Sequence, residues 1–304
     1  MISYKAETRF SQLLAMVLGS MLTYAGWVPT AWAQEGTAQL IRIFENDDFF
    51  SEEFFKGVNP NFSSGLAFPP GAHTLLLSEQ PVGGGNVVLV APPENERAEV
   101  SRTDIPTFDP INIAFDSVAK GAKGQGTYRI FLLDGNGELV AIKTNASNVA
   151  DPATVKRSDA RPLSVSGPQG MTFDPSTDCL FILDGVGPSI VRLCAAMGRD
   201  FDKPGPIAQI ALPPGLGDLR GLAFDPESGH LFVFNPSAQT LYELTVTGEM
   251  VAAVKLPGFQ PADVQGMIFT HTVDQTDPPS ATALYIAASN GPHSGVSEWS
   301  LGAR

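Results

Sequence analysis

Three observations in this sequence predict an all-β protein, a β-propeller of four-stranded antiparallel blades. The chain of 304 residues carries 30 Gly and 25 Pro with only 17% charged residues, a composition suited to many short strands joined by tight turns. A short apolar motif recurs along it. Each copy is followed by two further apolar runs set off by turn residues, so the repeating unit is a meander of about 50 residues.

Residues 1–33 precede the repeats and read as a secretory signal peptide. Lys5 and Arg9 make a basic start, and the apolar run from Leu13 to Val28 is interrupted by Gly19, Ser20 and Thr23. Ala31-Trp32-Ala33 then fits a small-residue cleavage site, with Gln34 as the first mature residue. The run is short for crossing roughly 30 Å of hydrocarbon. A secreted or periplasmic protein is expected, with no membrane span after cleavage and residues 34–304 as a single domain. The next apolar stretch, Ala38–Phe44, is a strand without a hairpin partner of its own. In Asp47–Lys56, Phe49, Phe50 and Phe54 recur at helical spacing behind two capping aspartates, which predicts a short helix packed on the first blade.

The five motif copies are Ser64-Gly65-Leu66-Ala67-Phe68, Ile111-Asn112-Ile113-Ala114-Phe115, Gln169-Gly170-Met171-Thr172-Phe173, Arg220-Gly221-Leu222-Ala223-Phe224 and Gln265-Gly266-Met267-Ile268-Phe269. Their starts are separated by 47, 58, 51 and 45 residues. Three copies run into Asp116-Ser117, Asp174-Pro175 and Asp225-Pro226, where Pro presets φ and Asp bonds the turn backbone. Second strands are expected at Thr74–Ser78, Tyr128–Leu133, Leu180–Leu183, His230–Phe234 and Ala283–Ala287. Third strands are expected at Asn86–Val90, Glu138–Ile142, Ile190–Leu193, Thr240–Leu244 and Gly295–Trp299. Fourth strands are clearest at Ile207–Leu212 and Val251–Leu256. Motif counting gives five blades, with six as the alternative. The last unit lacks a fourth strand, so pairing Ala38–Phe44 outside Ser297–Leu301 would complete it and remove an open edge.

The sequence Gln169-Gly170-Met171-Thr172-Phe173-Asp174-Pro175, followed by Leu180-Phe181-Ile182-Leu183-Asp184 and Ile190-Val191-Arg192-Leu193, resembles an NHL-type repeat. It is also similar to the wider gluconolactonase-like propeller superfamily, over roughly residues 38–302. That resemblance implies the fold. It also implies a group holding lactonases, other hydrolases, lyases and non-catalytic binding propellers. The lactonases of that group hold one calcium ion near the central channel with acidic and Asn side chains. Where they carry an acidic residue on the first inner strand, this chain has Ser63-Ser64-Gly65.

Strand direction places the candidate site. In a meander blade, the residues before each inner strand and those ending each second strand return to one face of the disc. The first set is Ser64, Ile111, Gln169, Arg220 and Gln265. The second is Glu79, Asp134, Asp184, Asn235 and Ser289. Glu79, Asp134, Asp184 and Asn235 are hard oxygen donors of the kind calcium takes in sixes to eights. Gln169, Arg220, Gln265, Ser64 and Ser289 would contact a ligand at the same mouth. The same Asp and Asn residues are also what hairpin turns use, as in Asp134-Gly135 and Asp184-Gly185.

Other chemistry finds little support. His73, His230, His271 and His293 share no metal-like spacing, and His230 falls on the face opposite the carboxylates. No nucleophile elbow or phosphate loop occurs. The formal charge of −13 gives no positive field for nucleic acid. If Asp184 lies opposite Ser189, Cys179 lies opposite Cys194, within reach of a disulfide. The functional expectation is a monomeric secreted propeller that binds a small molecule or protein at its polar mouth. The alternative is a calcium-dependent lactonase or esterase, and a third reading is an interaction scaffold.

Overall fold

The computed structural model describes residues 35–45, 63–67, 75–79, 86–90, 100–104, 110–116, 129–134, 138–144, 150–159, 163–196, 200–272, 281–290 and 293–302. The expected signal segment and the expected helix over Asp47–Lys56 lie outside them. Residues Ala33–Arg304 form one compact unit.

The chain begins with β1 (Glu35–Thr37) and β2 (Gln39–Glu45). The first unit is β3 (Ser63–Ala67), β4 (Leu75–Glu79), β5 (Asn86–Val90) and β6 (Val100–Asp104). The second is β7 (Pro110–Asp116), β8 (Arg129–Asp134), β9 (Glu138–Lys143) and β10 (Lys156–Asp159). The third is β11 (Pro168–Asp174), β12 (Cys179–Asp184), β13 (Ser189–Ala196) and β14 (Asp200–Ala211). The fourth is β15 (Arg220–Asp225), β16 (His230–Asn235), β17 (Thr240–Leu244) and β18 (Met250–Lys255). The last is β19 (Asp263–His271), β20 (Thr282–Asn290) and β21 (His293–Ser300).

Among the described residues these strands form four sheets of four strands and one of five, built from antiparallel meanders to which the N-terminal strands add β2 on the last sheet and β1, in parallel, on the fourth. It is an all-β propeller of small sheets. Every motif copy is the first strand of its sheet. These first strands touch one another in the cyclic order β3, β7, β11, β15, β19 and back to β3, so they are the innermost strands.

The cores lie between neighbouring sheets rather than inside one layer. β12 is buried at every residue because both its faces are covered. Leu180 and Ile182 pack with Ala114, Phe131 and Leu133 of the second sheet. Phe181 and Leu183, on the opposite face, pack with Leu222, Phe224, Leu231 and Val233 of the fourth. A strand covered twice reads as a continuous apolar run instead of an alternating one. The same holds for Leu231–Phe234, whose other face joins Met267, Phe269, Leu284, Ile286 and Trp299 of the last sheet.

All five innermost strands share one irregularity. The register to the second strand slips by a residue at Ser63/Gly65, Pro110/Asn112, Pro168/Gly170, Arg220/Leu222 and Val264/Gly266. The unpaired residue is the first of the motif in the first, second, third and last sheets and the second of the motif, Gly221, in the fourth, and such a bulge re-aims the residue beside it. The motif glycine serves the close approach of the next innermost strand. A Cβ on Gly170 would stand 2.5 Å from the Leu222 backbone nitrogen, and one on Gly221 would stand 2.6 Å from the Met267 sulfur, at a φ of +66°. Thr172 adds a buried tie between sheets, its hydroxyl accepting from the Phe224 backbone N–H at 3.0 Å.

The N-terminal segment does more than complete one sheet. β2 pairs antiparallel with β21, from Gln39 opposite Ser300 to Glu45 opposite Gly295. β1 pairs parallel with β18, on the fourth sheet. Between them the Ala38 N–H donates to the Lys255 carbonyl at 2.8 Å, and its methyl enters the core shared by the fourth and last sheets. The Arg42 Nε lies 2.8 Å from Glu298, whose carboxylate is 1% exposed. Residues 35–45 therefore strap two sheets together, a role the sequence had assigned to one.

Cys179 and Cys194 are direct partners across β12 and β13, 4.0 Å apart at Cα, and form a disulfide. It ties a hairpin whose ends are 15 residues apart.

Three outcomes follow from this packing. Gly170→Ala should cost about 1–3 kcal/mol in urea denaturation, because the new methyl meets rigid backbone. Gly187→Ala, with nothing near its Cβ position, should stay within about 0.5 kcal/mol of wild type. Arg42→Met should lower stability by about 1–3 kcal/mol, since it leaves the buried Glu298 carboxylate without this partner.

Candidate functional site

Each innermost strand is entered through a loop that the end of the second strand holds in place. In the third sheet Asp184, 4% exposed, ends β12. Its Oδ2 accepts from the Ser166 N–H at 2.9 Å, and its Oδ1 accepts from the Gly167 and Val186 N–H groups at 3.0 Å each. One carboxylate thus fixes both the hairpin it begins and the loop leading into β11. In the fourth sheet Asn235 does the same with an amide. Its Nδ2 donates to the Leu216 carbonyl at 2.6 Å, and its Oδ1 accepts from the Ala238 N–H at 2.9 Å. A carboxylate can only accept, whereas an amide donates and accepts, so the two loops present opposite groups. Gly215 and Gly217, at φ +89° and +77°, make the turn that brings the Leu216 carbonyl to Asn235.

Gln169 stands at the bulge of β11, and Arg220 opens β15. The structure brings these two together: Arg220 Nη1 donates to Gln169 Oε1 across the junction between the third and fourth sheets. Arg220 Nε and Nη2 both donate to Asp218 Oδ2, at 3.3 and 3.1 Å. The Gln169 stem lies over Gly185, where a Cβ would stand 2.5 Å from its Cγ. The Arg220 side chain is a third exposed, and Val186 on the neighbouring hairpin tip is open to solvent.

The backbone places Ser64, Ile111 and Gln265 at the equivalent bulges of β3, β7 and β19. Glu79 ends β4 and Asp134 ends β8, while Ser289 lies near the end of β20. The side chains of these six lie outside the described residues. Among the described residues no group of three or more His, Cys, Asp or Glu side chains is arranged to hold a metal ion. Asp218 was missed from sequence. It sits in Pro213-Pro214-Gly215-Leu216-Gly217-Asp218, which reads only as a loop, though its place two residues before Arg220 was the available signal.

The opposite ends of the strands carry turn chemistry. Asp174 accepts from the Ser176 N–H and hydroxyl at 2.8 and 2.6 Å, and Asp225 accepts from the Glu227 N–H and Ser228 hydroxyl at 3.0 and 2.8 Å. His230 begins β16 at this end, its Nδ1 2.6 Å from the buried Glu243 carboxylate. Arg129, nearly buried, reaches from β8 to Asp178 in the β11–β12 turn at 2.7 Å and lies over the Phe131 and Phe173 rings.

No family model matches the chain, and no curated protein matches it. Solved structures similar to it include nidogen in complex with laminin, at 18% identity and a TM-score of 0.46, covering 74% of this chain and 72% of that one. The calcium-binding protein regucalcin from Agrobacterium tumefaciens is similar at 14% identity and a TM-score of 0.46, covering 79% and 90%. Virginiamycin B lyase from Staphylococcus aureus is similar at 13% identity and a TM-score of 0.43, covering 79% and 67%. Likenesses of this size leave the chemistry of this chain to be read from its own residues.

Asp184→Ala should destabilise by about 2–3 kcal/mol, because three N–H groups lose a charged acceptor in one step. Urea denaturation measures it. Asp184→Asn, which keeps one acceptor oxygen, should lose less.

Proposed function

We propose that this chain is a secreted or periplasmic propeller of five blades. We further propose that it binds a small ligand or protein where its innermost strands begin. Ring closure by the N-terminal strap is part of this reading. It is supported by the cyclic contacts of the first strands and by β2 pairing outside β21. Export is supported by the leader pattern in residues 1–33 and by the disulfide, which an oxidising compartment favours. No helix among the described residues is long and apolar enough to cross a membrane.

The observation that carries the reading is the Gln169–Arg220–Asp218 bracket. Polar side chains from two sheets meet at the start of the innermost strands, preorganised and partly exposed. Such a convergence is what a recognition site requires. Asp184 and Asn235, by contrast, are engaged in holding loops.

The calcium-dependent hydrolase places Glu79, Asp134, Asp184 and Asn235 around one ion. A bound ion would raise the melting temperature by mass action. The binding reading expects chelator-treated and calcium-loaded protein to melt together and elemental analysis to find no stoichiometric metal. A calcium-dependent rise in melting temperature that Asp184→Asn abolishes would establish the ion site that the hydrolase reading requires.

The binding reading is tested by a thermal-shift screen over sugars, lactones, carboxylic acids, amides, amines and short peptides. At least one class should stabilise the wild type and fail with both Gln169→Ala and Arg220→Ala. A screen without hits, or hits indifferent to both substitutions, overturns it.

A further inference from the structure

We infer that the ligand of the Gln169–Arg220 bracket presents a carboxylate. The inference rests on the binding reading above and narrows it to a chemical class.

The reason is the hydrogen-bonding capacity the bracket leaves unspent. A guanidinium has five N–H donors and no acceptor. In Arg220 one goes to Gln169 Oε1 and two go to Asp218 Oδ2, so two remain. Because Arg220 can only donate, the Gln169 atom facing it is the oxygen, and the Nε2 amide with its two donors points away. Among the described residues the bracket therefore offers four unspent N–H groups. Against them stands chiefly one free carboxylate oxygen, Asp218 Oδ1, on a side chain 58% exposed. A donor excess of this kind selects a ligand rich in acceptors.

Among acceptor-rich groups, the carboxylate fits best. It brings several lone pairs and no donor, and its two oxygens match a guanidinium edge in charge-assisted bonds. A neutral carbonyl brings fewer lone pairs and no charge. A phosphate dianion or a strongly acidic peptide meets the field of a chain with net charge −13, which opposes each added negative charge. A small monocarboxylate carries the least of that penalty. Asp218 holds the arginine in place while opposing the incoming anion, so it sets both position and affinity.

The test is titration calorimetry with matched pairs: lactate and lactamide, benzoate and benzamide, hippurate and its amide, and a short neutral peptide with a free or an amidated C-terminus. At least one acid should bind tenfold or more tightly than its amide. Arg220→Lys, which keeps the charge and loses the fork, should weaken that acid tenfold or more. Asp218→Asn, which keeps an acceptor for Arg220 and removes the opposing charge, should tighten it several-fold. The peptide pair separates a terminal carboxylate from a free acid as its source. Amides binding as well as acids, or Asp218→Asn weakening the acid, overturns the inference. If the broad screen yields only neutral or cationic ligands that depend on Arg220, the carboxylate falls and the binding reading stands. If no compound in either experiment binds, both fall.

Discussion

The closeness of the innermost strands is the constraint on which the rest of this structure depends. Where β11 meets β15, the space at Gly170 is occupied by the main chain at Gly221 and Leu222. The side chains that fill the wedge between sheets are then set by distance from the centre, with Thr172 bonding across at the narrow end and Phe181, Phe232 and Trp299 filling the wider region. The second strands β8, β12, β16 and β20 are covered on both faces as a result. The bulge belongs to the same geometry: a strand crowded at its start cannot keep regular pairing with its neighbour, and in β11 the slip leaves Gln169 outside the ladder, beside the start of β15.

Short polar side chains hold both rims. Asp174 and Asp225 close the turns after the innermost strands, and Asp184 and Asn235 fix the loops before them. Backbone groups in these loops are thereby bonded without lengthening any strand. This division of labour leaves Gln169 and Arg220 as the described polar groups whose bonds run between sheets at the loop end and do not serve a turn.

Much of the fold was legible in the sequence because its signals are local. The motif copies became the first strands, and Asn86–Val90 and Thr240–Leu244 were placed to the residue. The opposition of Cys179 and Cys194 followed from counting back from Asp184 and Ser189. What could not be read depends on contacts between sheets. Nothing in Glu35–Thr37 marks it for a parallel pairing with Lys255 and its neighbours, because that partner is remote in sequence. The candidate site divides the same way. Periodicity put Gln169 and Arg220 at one end of adjacent strands. It could not show that Asp184 would be engaged by three N–H groups, or that Asp218 would hold the guanidinium, since both depend on loop conformation.

The strap formed by residues 35–45 has a consequence for the order in which the molecule assembles. Synthesis produces this segment well before its partners β18 and β21, which lie more than 200 residues further along the chain. Until they emerge, the segment has no sheet to join. Once they do, the final sheet still has an open edge, with the Glu298 carboxylate lacking its Arg42 counter-charge. The two ends of the chain thus carry a contact of very high sequence separation, the kind whose closure entropy slows folding. A truncated or stalled chain would hold several finished hairpins without the strap, and its exposed strand edges would be open to pairing with other chains.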